Sequence, residues 1–300
     1  MNRRSFIRNS ALVLPGTLLG RGPVERTGSP NLKLSLAAYS FRNQFKWFKN
    51  RRNKNGGEMT LHHFVDYCAN QRIPAAEITT YFFEPEVRED ALLGLRLHAQ
   101  NRGVALSGTA IGNNFSIGKG LLLDKQISET KAWIDKTALL GASHMRVFPG
   151  LAKDFINSPV RMGEAIDALQ ECSDYGGQKG VVVGVENHGN MSVEQMLYIL
   201  ESVDSSWFGI NLDTSNYIVE TDDELYDAIT RSLPYAVNVQ VKVKRKLPDG
   251  TKVEVDLKKM ISLIEEAGYQ GYVVLEYEEE APREKVPEYI DLLKKIINPS

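Results

Sequence analysis

From residue 32 onward the chain alternates short apolar runs with longer stretches of helical periodicity. The apolar runs cover residues 34–39, 75–79, 105–109, 144–148, 181–186, 208–213, 237–243 and 272–276. Short continuous apolar runs bounded by turn signals suit strands covered on both faces. Between them, Leu61, Phe64, Val65 and Cys68 share one helical face, and so do Leu257, Met260, Ile261 and Ile264. Ile127, Trp133, Ile134, Ala138 and Leu139 contribute to a third face. Ser158-Pro159 predicts the start of a long helix, and Ser192 with Gln195 has capping-box spacing. Gly103, Gly141, Gly180 and Gly268 stand where a helix hands over to a strand. Eight strand–helix units in about 265 residues predict a closed (β/α)8 TIM barrel, a single α/β domain over residues 31–300. An open doubly wound sheet is the competitor; the absence of a G-x-G-x-x-G turn after the first strand counts against a dinucleotide site. Pro248-Asp249-Gly250 between two alternating runs predicts a small hairpin after strand seven.

The later strands turn polar at their C-terminal ends, the end that carries active sites in such barrels. Residues 181–185 are apolar and lead into Glu186, then Asn187 and His188; Leu212 leads into Asp213; Leu275 leads into Glu276. In the seventh strand valines alternate with Asn238, Gln240 and Lys242. Period two sends the valines toward the helices and the polar residues toward the barrel axis. The same parity aims Asn211 and Asp213 inward, with Glu186 and Glu276 placed alike. Glu186, Asp213, Gln240 and Glu276 therefore converge on one mouth. Three carboxylates in a partly buried place must protonate or find a cation. A divalent ion satisfies them together, and an all-oxygen donor set suits Mn²⁺ or Mg²⁺ better than Zn²⁺. The alternative is an ionic network with Arg146 and Lys242 and no metal.

Charge and composition narrow the function classes. The 300 residues are 42% apolar and 25% charged, with 36 basic against 38 acidic residues, so no overall basic field exists to hold a nucleic acid. Cys68 and Cys172 supply neither a disulfide scaffold nor a cysteine-rich zinc site. Residues 1–30 read as a twin-arginine-type signal peptide and linker: Arg3-Arg4 with Phe6, a weak apolar run, then a stretch rich in Gly, Pro and charge. The apolar run is too short for stable membrane insertion. Such a leader exports folded protein, which suits a chain that takes up a cofactor first, and it predicts a periplasmic location. A homo-oligomer is compatible with the sequence, which carries no signal for or against one.

At its strand ends the chain resembles the xylose isomerase-like TIM-barrel superfamily, the sugar phosphate isomerase/epimerase group. The resemblance spans residues 32–297 and rests on Val185-Glu186-Asn187-His188, Leu212-Asp213-Thr214-Ser215-Asn216, Val239-Gln240-Val241-Lys242 and Leu275-Glu276-Tyr277-Glu278. Ala38-Tyr39-Ser40 and Ala76-Glu77-Ile78 add support. The resemblance implies a divalent metal held by Glu186, Asp213, the residue at position 240 and Glu276. It also implies that Glu186 and Glu276 act as the acid/base pair on opposite faces of a sugar carbon. The chemistry implied is proton abstraction beside a carbonyl through an enediolate. The chain departs from the family pattern in having Gln240 where a histidine is usual and Asn216 where sugar epimerases often carry another; Lys242 matches.

Other residues complete the expected site. Lys242 or His188 serves as a hydrogen-bond donor to the oxyanion, and Glu77, Arg146 and Asn216 line the mouth. The loop 42–55 is basic and aromatic and lies at the same face, so Trp47 is a candidate lid over a sugar ring. His62 and His63 read as surface or packing residues. The leading expectation is a metal-dependent sugar isomerase or epimerase with a small carbohydrate substrate. The rivals are a keto-sugar or keto-glycoside lyase on the same site and a non-catalytic sugar-binding barrel.

Overall fold

The computed structural model describes residues 23–54 and 56–298. Eight strands close a parallel barrel: β1 (Asn31–Ala37), β2 (Ala75–Thr79), β3 (Ala105–Ala110), β4 (His144–Val147), β5 (Val182–Glu186), β6 (Phe208–Asp213), β7 (Ala236–Val241) and β8 (Gln270–Leu275). Each pairs with its neighbours in sequence, and β8 returns to β1 through six paired positions from Asn31–Gln270 to Leu36–Leu275. Closure excludes the open-sheet alternative. The surrounding helices are α1 (Leu61–Asn70), α2 (Glu89–Asn101), α3 (Leu121–Leu140), α4 (Ala152–Asn157), α5 (Val160–Lys179), α6 (Val193–Ser202), α7 (Asp222–Ser232), α8 (Leu257–Glu266) and α9 (Pro282–Ile297). Among the described residues no helix is long and apolar enough to cross a membrane.

Local sequence accounts for most boundaries. Ser192 accepts from the Gln195 amide at 3.2 Å while Gln195 Oε1 accepts from the Ser192 amide at 3.0 Å, closing the capping box of α6. Helices α3 and α5 end on Gly141 and Gly180 at φ 74° and 72°, a left-handed turn that only glycine takes without strain. The long helix α5 starts at Val160, but Ser158 does not cap it; Pro159 takes the N-cap position without a side-chain bond. The predicted hairpin after β7 is present, with residues 244–246 antiparallel to 252–254. A second small hairpin, Trp47–Phe48 with Arg51–Arg52, shapes the loop after β1, and no local periodicity announces it.

The valines of β5 and β7 pack outward against the helices: Val183, Val185, Val239 and Val241 are all fully buried. Each contributes roughly 1.5–3 kcal/mol relative to an exposed side chain. The interior is polar instead. Ser35 and Ser107 share a 2.8 Å hydrogen bond, and His144 lies between β3 and β5. The imidazole has room only because its neighbours lack side chains: a Cβ on Gly184 would stand 2.3 Å from Nε2, and one on Gly108 2.6 Å from Nδ1.

The first 22 residues, with the twin-arginine motif, lie outside the described residues. The stretch read as the end of a linker is tied to the barrel. Arg26 Nη2 donates to the Ala236 carbonyl at 2.5 Å, and Gln270 Nε2 donates to Thr27 and Ser29 carbonyls at 2.5 and 3.0 Å.

Candidate active site

Two register shifts set the polar interior. One falls between Ala76 and Glu77, where β2 pairs with β3; the other falls between Ile210 and Asn211, where β6 pairs with β7. The extra residues are Ser107 on β3 and Val237 on β7, and inside the barrel Glu77 and Asn211 meet Gln240 and Asn238. Gln240 Nε2 donates to Glu77 Oε1 at 2.7 Å, and Asn238 Nδ2 donates to Glu77 Oε2 at 2.9 Å. Gln240 Oε1 accepts from Asn211 Nδ2 at 2.7 Å, while Asn211 Oδ1 accepts from Asn238 at 2.8 Å. This closed lower storey satisfies both oxygens of a buried carboxylate with amide donors.

Glu77 is 1% exposed, and burial, helped by Glu186, pushes its carboxyl up to about 7 against the pull of Arg146, Gln240 and Asn238. The unfolded chain releases that proton near 4.5. Between these values only the folded state binds it, so the contribution is full below about 4.5 and is lost as pH rises through about 7. At ~1.4 kcal/mol per unit, stability should fall by about 3 kcal/mol across this window. Urea denaturation at pH 5 and pH 8 should show the fall in the native chain and a flatter dependence in Glu77→Gln. Equal slopes in the two proteins would refute the assignment.

The upper storey sits at the C-terminal ends of β4 to β8. Arg146 Nε lies 2.8 Å from Glu186 Oε2 but off the hydrogen-bond axis, and Arg146 Nη1 donates to the Ile111 carbonyl at 2.5 Å. The guanidinium also stacks 4.1 Å from the Phe148 ring, which in turn meets His188 at 4.4 Å. Lys242, just past β7, carries its Nζ into the centre of the remaining acids. It stands 2.9 Å from Asp213 Oδ2, 3.4 Å from Glu276 Oε2 and 3.3 Å from Glu278 Oε1. Asn216 joins the two halves, accepting from Lys242 at 3.1 Å and donating to Glu186 Oε1 at 2.8 Å.

Crowding sets the protonation of these groups. Burial drives Glu276 well above the usual carboxylate range; Lys242 opposes this, and Glu278, Asp213 and Glu186 reinforce it. Asp213, fully buried, is raised by the same desolvation despite Lys242. Burial alone would discharge Lys242, but Asp213, Glu276, Glu278 and Glu186 hold it firmly protonated.

A cleft of about 250 Å³ opens above, lined among others by His188, Asn216, Lys242 and Glu278. Asp213, Glu186 and Glu276 are buried, with Asp213 and Glu276 against Lys242 and Glu186 against Asn216. The structure thus brings Glu186, Asp213, Glu276, Lys242, Asn216 and Arg146 into one cluster. His188 stands exposed at the rim. Glu77 and Gln240 belong to the lower storey. Trp47 is half-buried on the small hairpin; the aromatic of that hairpin that meets the rim is Phe48, edge-on to Tyr81 at 5.9 Å. Glu278 and Tyr81 were missed by sequence reasoning. The parity that aims Glu276 inward would have pointed to Glu278, two residues on, whereas Tyr81 lies in a single helical turn with no period to read.

The donor set does not fit a divalent ion as it stands. Gln240 has both amide ends engaged in the lower storey, and the Lys242 ammonium lies where the rim carboxylates converge. Among the described residues no three His, Cys, Asp or Glu side chains come together to hold a metal.

No curated protein sequence matches the chain. Solved structures do. D-psicose 3-epimerase of Clostridium cellulolyticum H10, solved with D-tagatose, is 14% identical over 89% of this chain and 99% of its own, with a TM-score of 0.71. A probable 3-DHS dehydratase of Bacillus anthracis is 16% identical over 89% of this chain and 100% of its own, with a TM-score of 0.65. A xylose isomerase-like TIM barrel protein from Mycobacterium smegmatis, in complex with magnesium, is 16% identical over 89% of this chain and 98% of its own, at 0.62. At such identities the likeness is one of fold. The family described as xylose isomerase-like TIM barrel matches residues 67–296, most of the described chain, and with the closed barrel already in view the protein belongs to that family.

Proposed function

We propose that this chain is a sugar isomerase or epimerase that moves a proton at the carbon beside a carbonyl, through an enediolate. The observation that carries the reading is a pair of buried glutamates, at the end of β5 and just past β8, held in unlike surroundings at one mouth. Glu186 lies against the Arg146 guanidinium, while Glu276 is pushed toward its protonated form by burial and by neighbouring acids. Two titratable groups with divergent environments divide the work of base and acid. Glu186 takes the proton from carbon; Glu276 returns one, to the opposite face or to the neighbouring carbon. The two carboxyls then exchange protons with water before the next turnover. The cleft of about 250 Å³ lies below the roughly 300–1,000 Å³ of sites for drug-sized ligands and suits a monosaccharide. The leader read in the sequence directs this chemistry to the periplasm, where unphosphorylated sugars are the available substrates. No step is routed through Mn²⁺ or Mg²⁺, because the side chains as arranged do not offer a divalent ion a place.

The test is incubation of the protein with ketoses and keto-glycosides in deuterated buffer, followed by NMR. Label at the carbon beside the carbonyl of a recovered or rearranged sugar is the expected result. Release of an aglycone would replace the isomerase reading with a lyase. Sugar binding with no label would leave a binding barrel.

A further inference from the structure

We propose that Lys242 is the resident cation of the barrel mouth: its ammonium, in place of a divalent metal, balances the rim carboxylates and polarises the sugar carbonyl. The inference rests on the isomerase reading for its second half, and on the side-chain arrangement alone for its first.

Three placements carry it. The Lys242 nitrogen has four oxygens around it, those of Asp213, Asn216, Glu278 and Glu276, at 2.9, 3.1, 3.3 and 3.4 Å. These are the distances of an ammonium, and a hard divalent ion would need the same oxygens at roughly 2.0–2.6 Å, against a fixed positive charge. Gln240, where the resemblance would lead one to expect a metal-binding imidazole, is held by Glu77 and Asn211 in the storey below. Asn216 accepts from Lys242 and donates to Glu186 at once, which ties the ammonium to the base; a neutral imidazole in its place would have one donor and one acceptor at fixed opposite positions.

The geometry also gives the ammonium a catalytic position, since Lys242 lines the cleft itself. Of its partners Glu278 is the most open, with a third of its side chain exposed. A carbonyl oxygen entering the cleft displaces Glu278 and accepts one N–H of Lys242. As Glu186 removes the carbon-bound proton, the electron pair moves onto that oxygen and the hydrogen bond from Lys242 strengthens. No electron acceptor or further reactant is required.

The experiment is a titration of the full-length protein, purified without chelator, with MnCl2, reading free Mn²⁺ by electron paramagnetic resonance, together with metal analysis of the protein as purified. The native chain should hold no stoichiometric metal and bind no Mn²⁺ below the millimolar range. Gln240→His, which supplies an imidazole but leaves Lys242 in place, should not change this. Lys242→Met strips the carboxylates of their cation and should bind Mn²⁺ at least roughly tenfold more tightly. One equivalent of Mn²⁺ bound by the native chain in the micromolar range would overturn the proposal, as would a Mn²⁺ site created by Gln240→His alone. If Lys242→Met fails to fold, the native and Gln240→His titrations decide by themselves. The two readings fail separately. Tight Mn²⁺ binding with sugar labelling removes the Lys242 assignment and leaves the isomerase. Absence of metal binding together with absence of label supports Lys242 as resident cation while removing the isomerase.

Discussion

Glu276→Gln should keep its fold and lose roughly 10²–10⁴-fold in the rate of deuterium incorporation, the usual cost of removing a positioned general acid or base. The amide has the same shape and keeps an oxygen beside Lys242, but it has no acidic proton to give. Stability should move the other way. In the native chain this carboxyl is buried among Glu278, Asp213 and Glu186 and is driven well above its ordinary range. An amide is neutral without taking up a proton, so folding no longer has to neutralise a carboxyl at this position, and Lys242 keeps Asp213 and Glu278 as partners. The melting temperature should therefore hold or rise while turnover collapses, a combination that a purely structural glutamate would not produce. Glu186→Gln should lose activity on the same scale. A Glu276→Gln protein labelling within about threefold of the native rate would remove this residue from the proton-transfer step.

Arg146→Ala should be the most destabilising single change at the site, at about 3–5 kcal/mol, because it leaves a buried carboxylate without its counter-ion. The guanidinium meets Glu186, donates to the Ile111 carbonyl and stacks on Phe148, so the variant loses an ion pair, a hydrogen bond and a packed planar group together. Urea denaturation should report the loss, with a fall in melting temperature on the order of 10 °C. Adding Glu186→Gln to Arg146→Ala should recover much of it, since the orphaned charge is then gone. A loss below about 1 kcal/mol in the single variant would mean that Glu186 is not charge-paired in the folded state.

Much of the barrel was legible because its signals are local. The alternation of valine with Asn238 and Gln240 in β7 fixes which side faces the axis, and the Ser192–Gln195 pair fixes where α6 begins. The glycines after α3 and α5 fix where those helices stop. The same parity brought Glu186, Asp213 and Glu276 to one mouth on paper. What the sequence concealed depends on closure. Glu77 meets Asn238 and Gln240 across 161 and 163 residues, a pairing inside the closed barrel that leaves no trace in the hydrophobic pattern. Period two shows that Gln240 points inward but not that Glu77 and Asn211 will hold it below the rim. For Lys242 the parity was readable and the reach was not: a four-carbon stem can place its charge anywhere within several ångströms. The loop after β1 was legible only in composition: that it folds into a small hairpin, with Trp47 half-buried and Phe48 edge-on to Tyr81, has no local period to announce it.

The fastening of residues 24–29 under the barrel bears on where the leader expected from the sequence could be removed. Val24 donates to the Pro234 carbonyl, Arg26 to that of Ala236, and Gln270 reaches back to Thr27 and Ser29. A signal peptidase that cut after Arg26 would strip the strap from the floor of β7 and expose Tyr269, which the guanidinium covers at 5.3 Å. A cut upstream of Val24 would instead leave the base of the barrel sealed.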